Sequence, residues 1–185
     1  MNPLLALGAY AALRREEGRP FSYPGGELQI TELVDAALLG EAFQWAAESA
    51  TAQGEVFNIT NGDVFAWREA WPALANAFGM PLGPDEPLRL ADYLVARASV
   101  WERIVEREQL RPIRLLRFLG ESHHYADLLL RGARPTSRPN LLSTIKLRQA
   151  GFSACRDSEE TIVRWIREMQ RRRLIPRPET SFNAR

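Results

Sequence analysis

Ser122-His123-His124-Tyr125 is the stretch of this sequence richest in groups that could move a proton or hold a metal. Imidazole titrates near neutrality and ligates divalent metals through its ring nitrogens. On a helix, however, adjacent side chains point about 100° apart, so His123 and His124 do not converge on one ion. Cys155, the single cysteine, and the carboxylates have no ligand spacing to them, and no metal site is expected. Asn61-Gly62-Asp63 follows an extended run and reads in two ways. It is either a loop that touches a ligand, as loops after sheet strands often do, or a turn whose Asp63 caps a helix. Asn58-Ile59-Thr60 matches a glycosylation sequon by chance, since the chain shows no secretion signal. Arg171-Arg172-Arg173 lacks the interleaved aromatics and broad basic face of a nucleic-acid site.

The elements that would position these groups are mostly helical. Asn2 suits a helix N-cap and Pro3 the first helical position, with Leu4, Leu7 and Ala11 at helical spacing up to Arg15 and Gly18 as the stop. Pro20–Tyr23 and Leu28–Thr31 read as short extended pieces, separated by the breaker Pro24-Gly25-Gly26. A helix is predicted from about Glu32 to Glu48, with Val34, Leu38, Phe43 and Ala46 among its apolar positions. Glu55 to Thr60 is the best strand candidate in the chain. Trp67, Trp71, Leu74 and Phe78 form the stripe of a helix buried on one face. Pro72 falls inside it, which predicts a kink or a later helix start. Further helices are expected over Leu90–Ala96, Val100–Arg107, the second half of Leu115–Leu130, Leu141–Ala150 and a last one capped by Ser158. In that last helix Thr161, Trp165, Ile166 and Met169 share a side. Gly132 to Asn140 reads as a loop, and residues 176–185 as a polar, disordered tail. Strands this few and short need partners in a larger sheet.

Composition narrows the class. The 185 residues are 45% hydrophobic and 25% charged, with a formal net charge of +1. That is an ordinary globular balance with no global pull towards nucleic acid or an anionic membrane. No apolar run approaches the ~20 residues of a membrane span, and no signal peptide is recognisable. A lone cysteine fits a reducing cytoplasm.

Four blocks carry a resemblance. The segment from Glu55 to Pro72, EVFNITNGDVFAWREAWP, resembles the late strand-turn-helix of the progesterone 5β-reductase and iridoid synthase-like reductases, atypical extended short-chain dehydrogenases/reductases. Met1-Asn2-Pro3 through Ala9-Tyr10-Ala11-Ala12 to Phe21-Ser22-Tyr23-Pro24-Gly25 is similar to the helix and strand that follow that family's catalytic part. Val100-Trp101-Glu102-Arg103-Ile104-Val105 matches its Val-Trp-acidic-x-Ile-Val block. Ser143-Thr144-Ile145-Lys146, Gly151-Phe152, Asp157, Trp165 and Ile175-Pro176 resemble its carboxy-terminal region.

The resemblance implies an α+β, mostly α fold: the carboxy-terminal, substrate-binding part of an NAD(P)-binding Rossmann-type reductase over residues 1–175. In the complete enzyme it implies NADPH or NADH as cofactor and hydride transfer to an enone or carbonyl of a small-molecule substrate. The glycine loop, proton-donating Tyr and orienting Lys that the family uses have no counterpart here. No Gly-x-Gly-x-x-Gly occurs, Lys146 is the only lysine, and none of Tyr10, Tyr23, Tyr93 and Tyr125 has a Lys four residues on. No catalytic or cofactor-binding residue is therefore expected, and Met1 is either a natural start or an internal methionine of a longer frame. The family's aromatic pocket stretch falls at 123–125. It suggests Tyr125, His123 and His124 as lining residues of a pocket more polar than the family's, with Asn2 as a further candidate; the alternative is a surface histidine pair beside a core Tyr. A non-catalytic ligand-binding or interaction module derived from such a reductase is the rival reading. Loss of the other half further predicts self-association, through Leu4, Leu5 and Leu7 of the first helix, or pairing with a separate Rossmann half.

Overall fold

The computed structural model describes residues 2–26, 28–111, 114–131 and 141–178. The loop expected at Gly132 to Asn140 and most of the expected tail lie outside them. Among the described residues the chain is mostly helical, with one two-stranded antiparallel sheet.

Helix α1 (Leu4–Glu16) is the centre of the molecule. The Asn2 side-chain oxygen accepts the Leu4 N–H at 2.8 Å, and Gly18, at φ +65°, ends the helix in the left-handed region. A helix apolar on every side must be buried on every side. Leu4, Ala6, Leu7, Gly8, Ala9, Tyr10, Ala11, Ala12 and Leu13 are all buried, under neighbours contributed by five other helices. Small residues let those neighbours approach: a Cβ on Gly8 would lie 2.8 Å from the Ile175 side chain. The expectation that Leu4, Leu5 and Leu7 offer an association surface therefore fails, because Leu4 and Leu7 are already covered by this chain and Leu5 is half-buried. Ile175 and Pro176 are buried as well, so the carboxy-terminal segment is tied down past the point where a tail was expected to begin.

Strand β1 (Ile30–Thr31) pairs with β2 (Phe65–Ala66), Ile30 opposite Ala66. The strand expected at Glu55 to Thr60 does not form, and Val56 is 82% exposed. Its alternating composition suits a sheet, but a strand exists only where a second strand takes its hydrogen bonds. Pro20–Tyr23 is likewise extended without being a strand; only Phe21 makes a bridge, to Leu82.

Helix α2 (Ala36–Glu48) starts later than the periodicity suggested, because Asp35 caps it, accepting from the N–H groups of Ala37 and Leu38. Of its expected apolar positions only Leu38 is buried; Val34, Phe43 and Ala46 are exposed, since the helix packs through the narrow line Leu38, Ala42 and Trp45.

Helix α3 (Trp67–Phe78) carries the stripe as expected, with Trp67, Trp71, Leu74 and Phe78 all buried, mostly against α9 (Ser158–Arg171). It runs through Pro72. The proline and Arg68, whose carbonyl loses its partner, sit on the exposed face, where that carbonyl is open to solvent. Helices α4 (Leu90–Val95) and α5 (Ala98–Arg107) follow as predicted. The next expected helix is two: α6 (Leu115–Leu119) and α7 (Ser122–Arg131), divided at Gly120 with φ +49°. Ser122 locks α7 to α1, its hydroxyl donating to the Asn2 carbonyl at 2.6 Å and accepting from Ala6 N–H. Helix α8 (Ile145–Gln149) is shorter than Leu141–Ala150, and Gly151 terminates it at φ +108°. Ser158 is not the cap of α9. Asp157 is, accepting from Glu160 N–H at 2.7 Å.

Candidate functional site

A cavity of about 520 Å³ opens beside the start of α1. Asn2, Pro3 and Leu4 form one wall; the extended stretch Thr31–Val34 with Ala36 forms a second. Trp67 begins α3, Tyr125 and Leu129 face in from α7, and Thr161, Ile162 and Trp165 from α9. The lining is mostly apolar with a few polar groups, the usual make-up of a small-molecule site. Asn2 spends its side-chain oxygen on the helix cap, which leaves its amide N–H groups for a ligand. The Tyr125 hydroxyl has no hydrogen-bond partner among the described residues, so it can donate and accept in the cavity.

Two of the four residues suggested from sequence thus meet here and two do not. His123 and His124 line no part of this cavity. Tyr125 and Leu129 share a helix face at i and i+4, whereas His124 and His123 are turned about 100° and 200° away. His123 is buried, its Nδ1 without a partner, and its ring lies 4.1 Å from that of the exposed His124. The alternative reading is thereby modified: His124 is at the surface, but His123 is inside and Tyr125 is half-buried. Trp67, Leu129 and Trp165 were not singled out as lining residues. The only available signal was helical spacing, Leu129 from Tyr125 and Trp165 from Thr161.

Burial pushes the His123 pKa below the usual imidazole value, and the neighbouring His124 adds to this; the carboxylates of Glu121 and Asp127 act weakly the other way. The unfolded chain then binds the proton more readily than the folded one. Stability should be fully present above about pH 6.5 and fall as the pH drops below it, levelling off once the folded-state value is passed. Thermal melts at intervals from about pH 7.5 to 5 would show this, and His123→Phe should flatten the profile in that window. A wild-type melting temperature that does not change between those limits would refute it.

Asn61-Gly62-Asp63 is a clamp between elements. Asn61 is fully buried: its side-chain oxygen accepts Asp35 N–H at 2.7 Å, and its amide donates to Ser158 Oγ at 3.2 Å. Its backbone N–H donates to Leu33 O at 2.8 Å. Asp63 takes Ser158 N–H and Oγ–H, at 2.8 and 2.6 Å, so it secures the start of α9 and not, as the sequence reading had it, the helix that follows it. Gly62 needs its φ of +102°, and a Cβ there would sit 2.8 Å from the Arg148 guanidinium. With its polar atoms committed, Asn61 has little left for a ligand.

The glycine pair, the only lysine and three of the four tyrosines are committed to contacts within the chain. Gly25 and Gly26 are closed over by the Leu130 carbonyl, which accepts Gly26 N–H at 3.0 Å and would lie 2.5 Å from a Cβ on Gly25. Lys146 is exposed and held by Glu55 and the Val56 carbonyl. Tyr10 donates to Ser22 O, and burial pushes its pKa up to about 12. Tyr23 donates to Leu130 O and Tyr93 to Glu17. Among the described residues no three His, Cys, Asp or Glu side chains gather to hold a metal, and no helix is long and apolar enough to cross a membrane.

No family model matches the chain. Individual relatives do. It is 35% identical over 182 residues to an (S)-8-oxocitronellyl enol synthase of Antirrhinum majus, covering 95% of this chain and 45% of that protein. An (S)-8-oxocitronellyl enol synthase of Catharanthus roseus is 31% identical over 184 residues, with the same coverage. One from Camptotheca acuminata is 31% identical over 188 residues, 95% of this chain and 46% of that protein. The chain spans about half the length of the curated relatives it matches. By sequence it is similar over 95% of its length to somewhat under half of these (S)-8-oxocitronellyl enol synthases, which supports a carboxy-terminal fragment of that iridoid synthase-like family.

Proposed function

We propose that this chain is the carboxy-terminal, substrate-holding part of an NAD(P)H-dependent reductase of the Rossmann type, and that by itself it performs no redox chemistry. One observation carries the reading: Asn2 and Tyr125, both expected from the sequence to line a substrate pocket, line one largely apolar cavity although they lie far apart in the chain. The relatives' name supplies the ligand class, a small acyclic carbonyl compound built like the 8-oxocitronellyl group. Such a molecule buries its carbon chain against Leu129, Ile162 and Trp165, and its oxygen meets Tyr125 or the Asn2 amide. Tyr125 and Asn2 are positioning residues here. The hydride donor would be a reduced nicotinamide held by residues outside this chain's cavity.

Titration calorimetry with two probes tests the proposal. Citronellal, the parent aldehyde of the 8-oxocitronellyl group, should bind saturably, and Tyr125→Ala should weaken it about tenfold, in keeping with loss of one ring contact and one polar partner. NADPH should show no micromolar binding to the 185-residue chain. Citronellal binding that ignores Tyr125→Ala removes the cavity from the argument, and tight NADPH binding removes the division of labour.

A further inference from the structure

Asn61-Gly62 is the peptide pair of this chain most open to a covalent change that needs only water. The backbone nitrogen of the residue after an asparagine can attack the side-chain amide, and a glycine, without a Cβ, leaves that nitrogen unobstructed. Of the six asparagines only Asn61 precedes a glycine. Asn58 and Asn76 are followed by Ile59 and Ala77, and Asn2 by a proline with no N–H. The fold holds the vulnerable pair at every polar atom. Asn61 is fully buried, its side-chain oxygen accepting Asp35 N–H at 2.7 Å and its amide donating to Ser158 Oγ at 3.2 Å. Its backbone N–H donates to Leu33 O, and its carbonyl accepts Arg156 N–H at 2.9 Å. The attacking group is occupied as well, since Gly62 N–H donates to Thr60 Oγ1 at 3.2 Å. A Cβ on Gly62 would lie 2.8 Å from the Arg148 guanidinium and 3.3 Å from Cys155 Cβ, so the turn has close neighbours on that side too.

We propose that Asn61 is a spontaneous deamidation site that the fold holds unreactive, so that opening of this clamp sets the rate at which the chain is irreversibly lost. Once the clamp opens, hydroxide removes the Gly62 N–H proton and the nitrogen attacks Asn61 Cγ. The Cγ–Nδ2 bond breaks, and ammonia leaves with a proton taken from water. The succinimide ring so formed takes up one water molecule and opens to aspartate or isoaspartate. In the closed clamp, Cγ turns onto the Gly62 nitrogen only by breaking the bonds to Asp35 and Ser158. The product does not fit back. A carboxylate has no N–H to offer Ser158 Oγ, whose own proton goes to Asp63 at 2.6 Å. It also brings a further negative charge to a buried junction that already holds the carboxylates of Asp35 and Asp63, which is costly without a partner. An isoaspartate adds a main-chain methylene between the bonds to Leu33 and Arg156. Opening followed by reaction is thus one-way.

Peptide mapping by mass spectrometry, after incubation in mildly alkaline buffer with and without urea, tests it. In urea, Asn61 should deamidate faster than Asn58 and Asn76. In the folded chain its rate should be at least about tenfold lower than in urea, the clamp being closed most of the time. Ser158→Ala removes the oxygen that holds Nδ2, and Thr60→Val removes the acceptor of Gly62 N–H. Each should raise the folded-state rate about three- to tenfold, as loss of one hydrogen bond does, and leave the rate in urea unchanged. Both are measured at a temperature where circular dichroism shows them folded, and either one is enough for the comparison. Asn61→Asp, which installs one product directly, should melt below the wild type. Equal Asn61 rates with and without urea overturn the proposal, as does an Asn61 that reacts no faster than Asn58 when unfolded. A folded-state rate untouched by the variants, or an Asn61→Asp chain that melts with the wild type, overturns it equally.

Discussion

Trp71→Ala should destabilise the chain by about 3–5 kcal/mol, as truncation of a fully buried aromatic does when its surroundings cannot collapse into the space. Trp71 is 1% exposed and stacks on Phe21 with ring centroids 4.5 Å apart and planes 3° from parallel, while Tyr23 meets it edge-on at 5.2 Å. Phe21 is itself pinned between Tyr10 and Phe78, so none of these rings is free to refill the cavity. Against a whole-domain stability of about 5–15 kcal/mol, the loss leaves little margin. Denaturant unfolding followed by circular dichroism gives the number. Trp71→Phe keeps most of the buried area and removes an indole N–H that has no partner, so it should cost much less. A loss below about 1 kcal/mol for Trp71→Ala would mean that α3 is not held by this stack.

Asp35→Ala should cost about 2–4 kcal/mol, the sum of a lost helix cap and of buried donors left without an acceptor. The carboxylate joins two elements, α2 and α9. It caps α2, accepts Trp165 Nε1–H from α9 at 3.1 Å and pairs with Arg164, with its side chain wholly out of contact with water. Burial alone would raise its pKa. The hydrogen bonds from Ala37 N–H and Trp165, with the charge of Arg164, outweigh that and hold it below the usual carboxylate value. The depressed pKa fixes the sign of the pH effect. Asp35 stabilises fully above the unfolded-state value near 3.8 and loses that contribution as pH falls towards the folded-state one. Acid titration should therefore unfold the wild type more steeply below about pH 4 than it unfolds Asp35→Asn, which is weaker at neutral pH but does not titrate. Matching acid profiles for the two proteins would contradict the assignment.

Local patterns in the amino-acid sequence determined a good deal. The α3 stripe, the Asn2 start and Gly18 stop of α1, and the helical pieces around Leu90 and Val100 are legible because a helix closes its own hydrogen bonds and needs only periodicity and ends. The resemblance to the iridoid synthase-like reductases was legible too, since it rests on ordered blocks rather than on packing. Tertiary structure alone decided the rest. Residues 55–60 have the composition of a strand and lack a partner to make them one. Asp63 looks like the cap of the helix after it, yet its carboxylate reaches Ser158 at the start of α9. Two adjacent histidines and a tyrosine read as one group until the helix turned Tyr125 into the cavity and His123 into the core. In each case local chemistry set what a side chain could do, while its partner lay at a sequence distance that no periodicity encodes.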